Sequence, residues 1–175
     1  MKSKLIVLTV ALSLFLTSCD AVDDLLSFSI SNSTSIKIKS TSPINLPSEI
    51  ITADVTTNSS SEFENNKTKA SLVKDVKIRS LKLSIADPSD KTFTFLKSIH
   101  LYISTGNSEE IELAYQDNIN VSTNTIDLIC TDKKLDQYIK ADSYKIRTQV
   151  TLKETLTKDV TVNAAMKFKV TADPF

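Results

Sequence analysis

Along most of this chain apolar and polar residues alternate, the period of strands with one face buried. Leu26, Phe28 and Ile30 share a phase with Ile36 and Ile38. After the proline-containing connector TSPINLPSE comes a strand expected over residues 50–57. Residues 58–69 are polar and predict a loop, with Phe63 as its one aromatic. Val76 and Ile78 occupy one phase and Leu81, Leu83 and Ile85 the other. That switch predicts a β-bulge near Arg79 and Ser80. Asp87-Pro88-Ser89-Asp90 has the side chains of a turn. Phe93 and Phe95 form a short alternating piece. Ile99, Leu101 and Ile103 then run into a hairpin turn at Thr105-Gly106-Asn107, followed by Ile111, Leu113 and Tyr115. Ile126, Leu128 and Cys130 predict another strand. At Leu135, Tyr138 and Ile139 the spacing becomes i, i+3, i+4, which predicts a short helix near 132–141. Alternation is cleanest at the end, from Tyr144 to Leu152 and from Val160 to Val170.

Eight or nine strands at this spacing predict an all-β fold, an antiparallel β-sandwich with solvated outer faces. The pattern resembles an immunoglobulin-type sandwich, although the Cys…Trp…Cys hallmark of that fold is missing because the chain has no Trp. A parallel α/β arrangement lacks the intervening helices it would need.

The amino terminus adds a separate element. Lys2 and Lys4 precede an apolar run from Leu5 to Leu16. At about a dozen residues it is shorter than the ~20 needed to span a bilayer, and has the length of a signal-peptide core. The run ends Leu16-Thr17-Ser18-Cys19. Here the sequence resembles bacterial lipoproteins, whose lipobox has an aliphatic residue, two small residues and then the modified cysteine. The resemblance implies that Leu16, Thr17 and Ser18 are read by the signal peptidase. It also implies that Cys19 receives a diacylglyceryl thioether and an acyl chain such as palmitate on its new amino group. A thiolate is the nucleophile such a modification needs. The expected organisation is a signal peptide over 1–18, a lipidated tether over 19–25 and one β-sandwich over 26–175. Asp20, Asp23 and Asp24 follow the cysteine. Acidic residues there accompany surface export in some bacteria and inner-membrane retention in others; outer-membrane attachment in the cell envelope is the expectation.

Composition narrows the chemistry. The chain has 21 basic and 21 acidic residues, and only Arg79 and Arg147 are arginines. Neither a basic excess nor a set of arginine forks is present, so nucleic acid is not an expected partner. With one Gly and one His, no G-x-S-x-G elbow and no multi-histidine metal site can be built. Calcium needs only oxygen ligands, but the acids at Asp87, Asp90, Glu109 and Glu110 match no EF-hand loop and read as solvated turn carboxylates. No cofactor, no metal and no catalytic residue is expected. Cys130 reads as a core thiol, with nucleophile or intermolecular disulfide as the alternatives.

His100 and Tyr102 share the polar face of their strand and are the candidate surface contacts. Tyr102 in particular falls off the apolar phase that holds most other aromatic residues. The expected protein is therefore a membrane-anchored, non-enzymatic lipoprotein acting in binding or envelope assembly through a protein or glycan partner. A glycan-binding accessory module is the alternative. A hydrolase using dispersed carboxylates is the third reading. Loops carry recognition on such scaffolds, so residues 58–69 are the expected variable contact surface.

Overall fold

The computed structural model describes residues 27–106 and 108–173. Leu16, Thr17, Ser18 and Cys19, where the lipobox is expected, the acidic run behind them and Asn107 of the expected hairpin turn lie outside the described residues. The described chain is an antiparallel β-sandwich. Its strands are β1 (Ser27–Ile38), β2 (Pro47–Ile51), β3 (Val55–Thr56), β4 (Val73–Asp87), β5 (Leu96–Ser104), β6 (Ile111–Gln116), β7 (Thr125–Asp127), β8 (Ile129–Cys130), β9 (Ser143–Leu152) and β10 (Val160–Ala172). Two short helices accompany them, α1 (Ser59–Asn65) and α2 (Asp136–Ile139). One sheet has the order β1-β10-β4-β7. The other has β2-β9-β5-β6-β8, with β3 also pairing β9.

The alternating apolar residues meet between the sheets. Ile30, Ile36 and Ile38 of β1, Leu83 of β4, Leu101 of β5, Ile146 of β9 and Phe168 of β10 are all fully buried. Tyr144 crosses the core edge-on to Phe168, at 6.4 Å between ring centroids, and its hydroxyl reaches the Met166 sulfur at 3.9 Å. Burial raises the Tyr144 pKa well above the ordinary tyrosine value. The expected bulge is present: Lys167 pairs with Ser80 and Phe168 with Ile78, which leaves Arg79 as the extra residue. The short helix expected near 132–141 is α2, and it buries Tyr138 and Ile139. Its Tyr138 hydroxyl donates to the Glu109 carbonyl at 2.6 Å, which ties α2 to the β5–β6 turn.

Three local expectations are corrected. Residues 58–69 are not simply a loop, because α1 lies within them and buries Phe63 to 2% exposure against Phe28. Phe93 and Phe95 form a 3₁₀ turn rather than a strand, with both rings buried and 6.2 Å apart. The strand expected at Ile126–Cys130 divides: β7 pairs with β4, and β8 pairs with β6 of the opposite sheet. Leu128 makes the crossing, its N–H bonded to the Leu81 carbonyl at 2.9 Å.

Among the described residues, no helix is long and apolar enough to cross a membrane.

Candidate functional site

The outward face of the β2-β9-β5-β6 sheet collects the polar chemistry that the sequence singled out. β5 presents His100 and Tyr102 two residues apart, so their side chains stand on one face. Cross-strand register sets Gln149 and Tyr115 beside His100, and Arg147 and Glu112 beside Tyr102. The predicted pair thus sits in a row of rings. His100 lies nearly parallel to Tyr115 (centroids 5.7 Å apart, 16° between planes) and to Tyr102 (6.5 Å, 13°). At the end of the row the Arg147 guanidinium covers the Tyr102 ring at 4.1 Å, a cation–π contact.

Carboxylates close the row on its flanks. The His100 ring nitrogens meet Glu112 (Nδ1 to Oε1, 2.7 Å) and Asp117 (Nε2 to Oδ1, 3.3 Å). A neutral imidazole donates one of these bonds and an imidazolium donates both. Arg147 makes a forked contact with Glu110, Nε donating at 3.0 Å and Nη2 at 2.7 Å, while Nη1 donates to Glu49 on β2 at 3.0 Å. The bonds to Glu110 raise the Arg147 pKa further, with burial opposing them. Burial, followed by the Glu112 charge, raises the Tyr102 pKa, so its phenol stays protonated.

The array is largely closed on itself. The His100 side chain is 23% exposed and that of Arg147 is 21% exposed. One arginine joins three strands and the β5–β6 connection: it stacks on β5, pairs with Glu110 before β6 and reaches Glu49 on β2. Chemically this is a cross-strand latch with Tyr102 inside it. Among the described residues, no group of three or more His, Cys, Asp or Glu side chains is placed to hold a metal ion.

Sequence reasoning found His100 and Tyr102 but did not set Arg147, Tyr115, Glu49, Glu112 and Asp117 beside them, and it read Glu110 as a solvated turn carboxylate where the structure puts it on the Arg147 fork. Tyr115 was expected on the apolar phase with Ile111 and Leu113. A β-bulge at Leu113 reverses that phase: Leu101 pairs with Ala114 and Tyr102 with Glu112, leaving Leu113 over. Two consecutive apolar residues, Leu113-Ala114, were the available signal. Arg147 was legible as one of only two arginines, on the outward phase of β9.

Cys130 is half-buried at the margin of the core, its thiol 3.9 Å from the Leu128 carbonyl. Burial raises its pKa, which disfavours the thiolate a nucleophile requires.

No family model matches the sequence, and no curated protein matches it. Several solved structures superpose loosely. The crystal structure of FLHE is 5% identical with a TM-score of 0.36, over 84% of this chain and 98% of that one. Desmodium yellow mottle tymovirus gives 12% identity and a TM-score of 0.31, over 83% and 88%. Turnip yellow mosaic virus gives 10% and 0.27, over 85% and 96%. With each TM-score below 0.5, these likenesses carry no argument about activity or partner.

Proposed function

We propose that this protein is a lipid-anchored lipoprotein of the bacterial cell envelope, attached to the outer membrane, whose sandwich works by binding or in envelope assembly rather than by catalysis. The observation that carries this reading is the run Leu16-Thr17-Ser18-Cys19 behind a lysine-bearing apolar leader. Acylated Cys19 holds the chain in the leaflet, because two or three acyl chains anchor firmly where one binds marginally. The first described strand begins at Ser27, and residues 20–26 lie between it and Cys19. Seven residues span at most about 25 Å when extended. The sandwich is therefore held close to the lipid surface. The ring row is consistent with a non-catalytic role: its histidine, arginine and acids are engaged with one another.

Replacing Cys19 with Ala tests the reading. Fatty-acid labelling should disappear and the protein should leave the membrane fraction. Labelling that persists in Cys19→Ala would overturn the anchor. Cross-linking and pull-down from intact cells would then identify the partner of the anchored protein.

A further inference from the structure

The two outer faces of the sandwich differ in charge. Along β1, β10, β4 and β7 the strand residues include seven lysines or arginines and three aspartates. Their apolar neighbours Val76, Ile78, Phe168 and Val170 are buried, so the charged side chains stand on the solvent face. Lys37 and Lys82 meet Asp159 and Asp127 at 3.3 and 3.6 Å. The other five cations are Lys74, Lys77, Arg79, Lys167 and Lys169. They gather in the half of the sheet nearest Ser27, with Asp75 as the strand acid among them. On the opposite outer face, at the ring row, the carboxylates of Glu49, Glu110, Glu112 and Asp117 surround Arg147 and His100.

We infer that the outer face of the β1-β10-β4-β7 sheet lies on the anionic headgroups of the membrane that holds Cys19, a reading that rests on the anchor proposed above. The ring row is then turned away from the lipid. The sign of the charge and its place in the fold both support this orientation. Lys169 stands opposite Ser29 and Lys167 opposite Ser31, about 7 and 14 Å along the strand from Ser27. The tether enters at Ser27 and spans at most about 25 Å, so the cationic half of the sheet is the half held nearest the headgroups. Each lysine or arginine close to an anionic surface strengthens association about fivefold. That attraction fades over about 10 Å at 0.1 M salt, and a short tether keeps the face returning to within that distance. The same surface repels the four carboxylates around the ring row, so both faces favour one orientation.

The relief of the face suits headgroup contact. Ser29, Ser31, Ser33 and Ser35 of β1, Ser80 of β4 and Ala165 of β10 are exposed and small. A shallow recess lies over Ser31, Ser33, Ser80 and Ala165, with Lys82 and Lys167 on its wall. A second opens beside Lys74, Lys77 and Lys134, with Asp75 and Asp132 on its wall. Hydroxyls and ammonium groups both donate to phosphate oxygens. Among the described residues, the exposed large apolar side chains lie outside these four strands. The contact is therefore with headgroups and not with acyl chains.

Thiol labelling of the anchored protein tests the orientation. The full chain, in a Cys130→Ser background, is purified from membranes and reconstituted into vesicles of phosphatidylglycerol and phosphatidylcholine. Ala165→Cys places a thiol on the lysine face and Gln149→Cys one on the opposite face. A bulky maleimide should label position 165 about tenfold more slowly in these vesicles than in detergent, and position 149 at an unchanged rate. Vesicles of phosphatidylcholine alone, or about 1 M salt, where charges are screened within about 3 Å, should remove the protection. So should the exposed substitutions Lys77→Gln, Arg79→Gln and Lys167→Gln together, which weaken the contact about a hundredfold. Flotation with phosphatidylcholine vesicles in high salt reads the anchor alone, so a failed anchor and a failed face are told apart. Equal labelling of the two positions in phosphatidylglycerol vesicles would overturn the inference. Protection at position 165 that survives the triple variant or high salt would overturn it too.

Discussion

Phe63 is the point at which α1 is held to the sandwich, and its truncation gives the most direct measure of what orders the 58–69 segment. A seven-residue helix has no stability of its own in water, and the Asn58 side chain at the N-cap of α1 bonds Glu62 and Asn32 side chains rather than capping a helix N–H. Its buried residues are Ser59 and Phe63, and the Ser59 hydroxyl has no hydrogen-bond partner. The apolar anchorage therefore rests on one ring, 2% exposed and edge-on to Phe28 at 6.2 Å. Phe-to-Ala changes in cores cost about 3–5 kcal/mol. The low end applies, because a surface helix can relax into part of the space. Phe63→Ala should thus lose about 3 kcal/mol, or about 6–12 °C in Tm for a chain of this size. Urea denaturation measures the first and a thermal melt the second. Hydrogen exchange locates the effect: the amides of Glu62, Asn66 and Thr68, bonded to Asn58, Glu62 and Phe63, should lose protection. Glu64→Ala, exposed on the same helix, serves as the control. A loss below about 1 kcal/mol with those amides still protected would refute the reasoning. It would mean that the bonds from Thr57 to Ala141 and Asp142 hold the segment instead.

The latch on the outer sheet face makes a smaller prediction. A double-mutant cycle between Arg147→Ala and Glu110→Ala should give a coupling of about 0.5–1 kcal/mol, limited by the solvent around Glu110. Arg147→Lys should recover only part of it, since lysine lacks the fork; urea midpoints that show no coupling would remove the latch. Asp159 gives a pH prediction. The Ser40 N–H, then the Ser40 hydroxyl and Lys37, hold its carboxyl below the ordinary range. A lowered folded pKa contributes stability that is present above the unfolded value of about 4 and lost as pH falls through the lower folded one. The stability gap between the parent and Asp159→Asn should therefore close on acidification from pH 6 to pH 2, and a constant gap would count against these bonds.

The long strands were legible because their alternation is complete. From Tyr144 to Leu152 and from Val160 to Ala172, each second residue had to be buried whichever strands lay alongside. The Arg79 bulge was also visible, because a phase switch inside one run has few other causes. Where the pattern failed, the deciding partner was distant in sequence. Phe93 and Phe95 alternate like strand residues, yet a 3₁₀ turn buries both. Nothing local distinguishes Ile126–Cys130 from one strand, because β4 and β6 supply the reason to divide it. At the candidate site, His100 and Tyr102 could be placed on one face by counting. Their enclosure by Arg147, Tyr115 and four acids depends on the Leu113 bulge and on cross-strand register, which a single strand does not encode.

The crossing at Leu128 has a consequence for how the molecule assembles. Three residues of β7 complete one sheet, and two residues of β8, one position further on, begin the edge of the other. The chain between the two seams is one residue, Leu128, whose N–H is committed to the Leu81 carbonyl. The margins of the two layers are thus joined through one residue, so displacing either short strand pulls on the other. Such distant contacts form late and slowly. Under a pulling force, sliding of one layer past the other would have to break this junction first, so it acts as a rivet against shear.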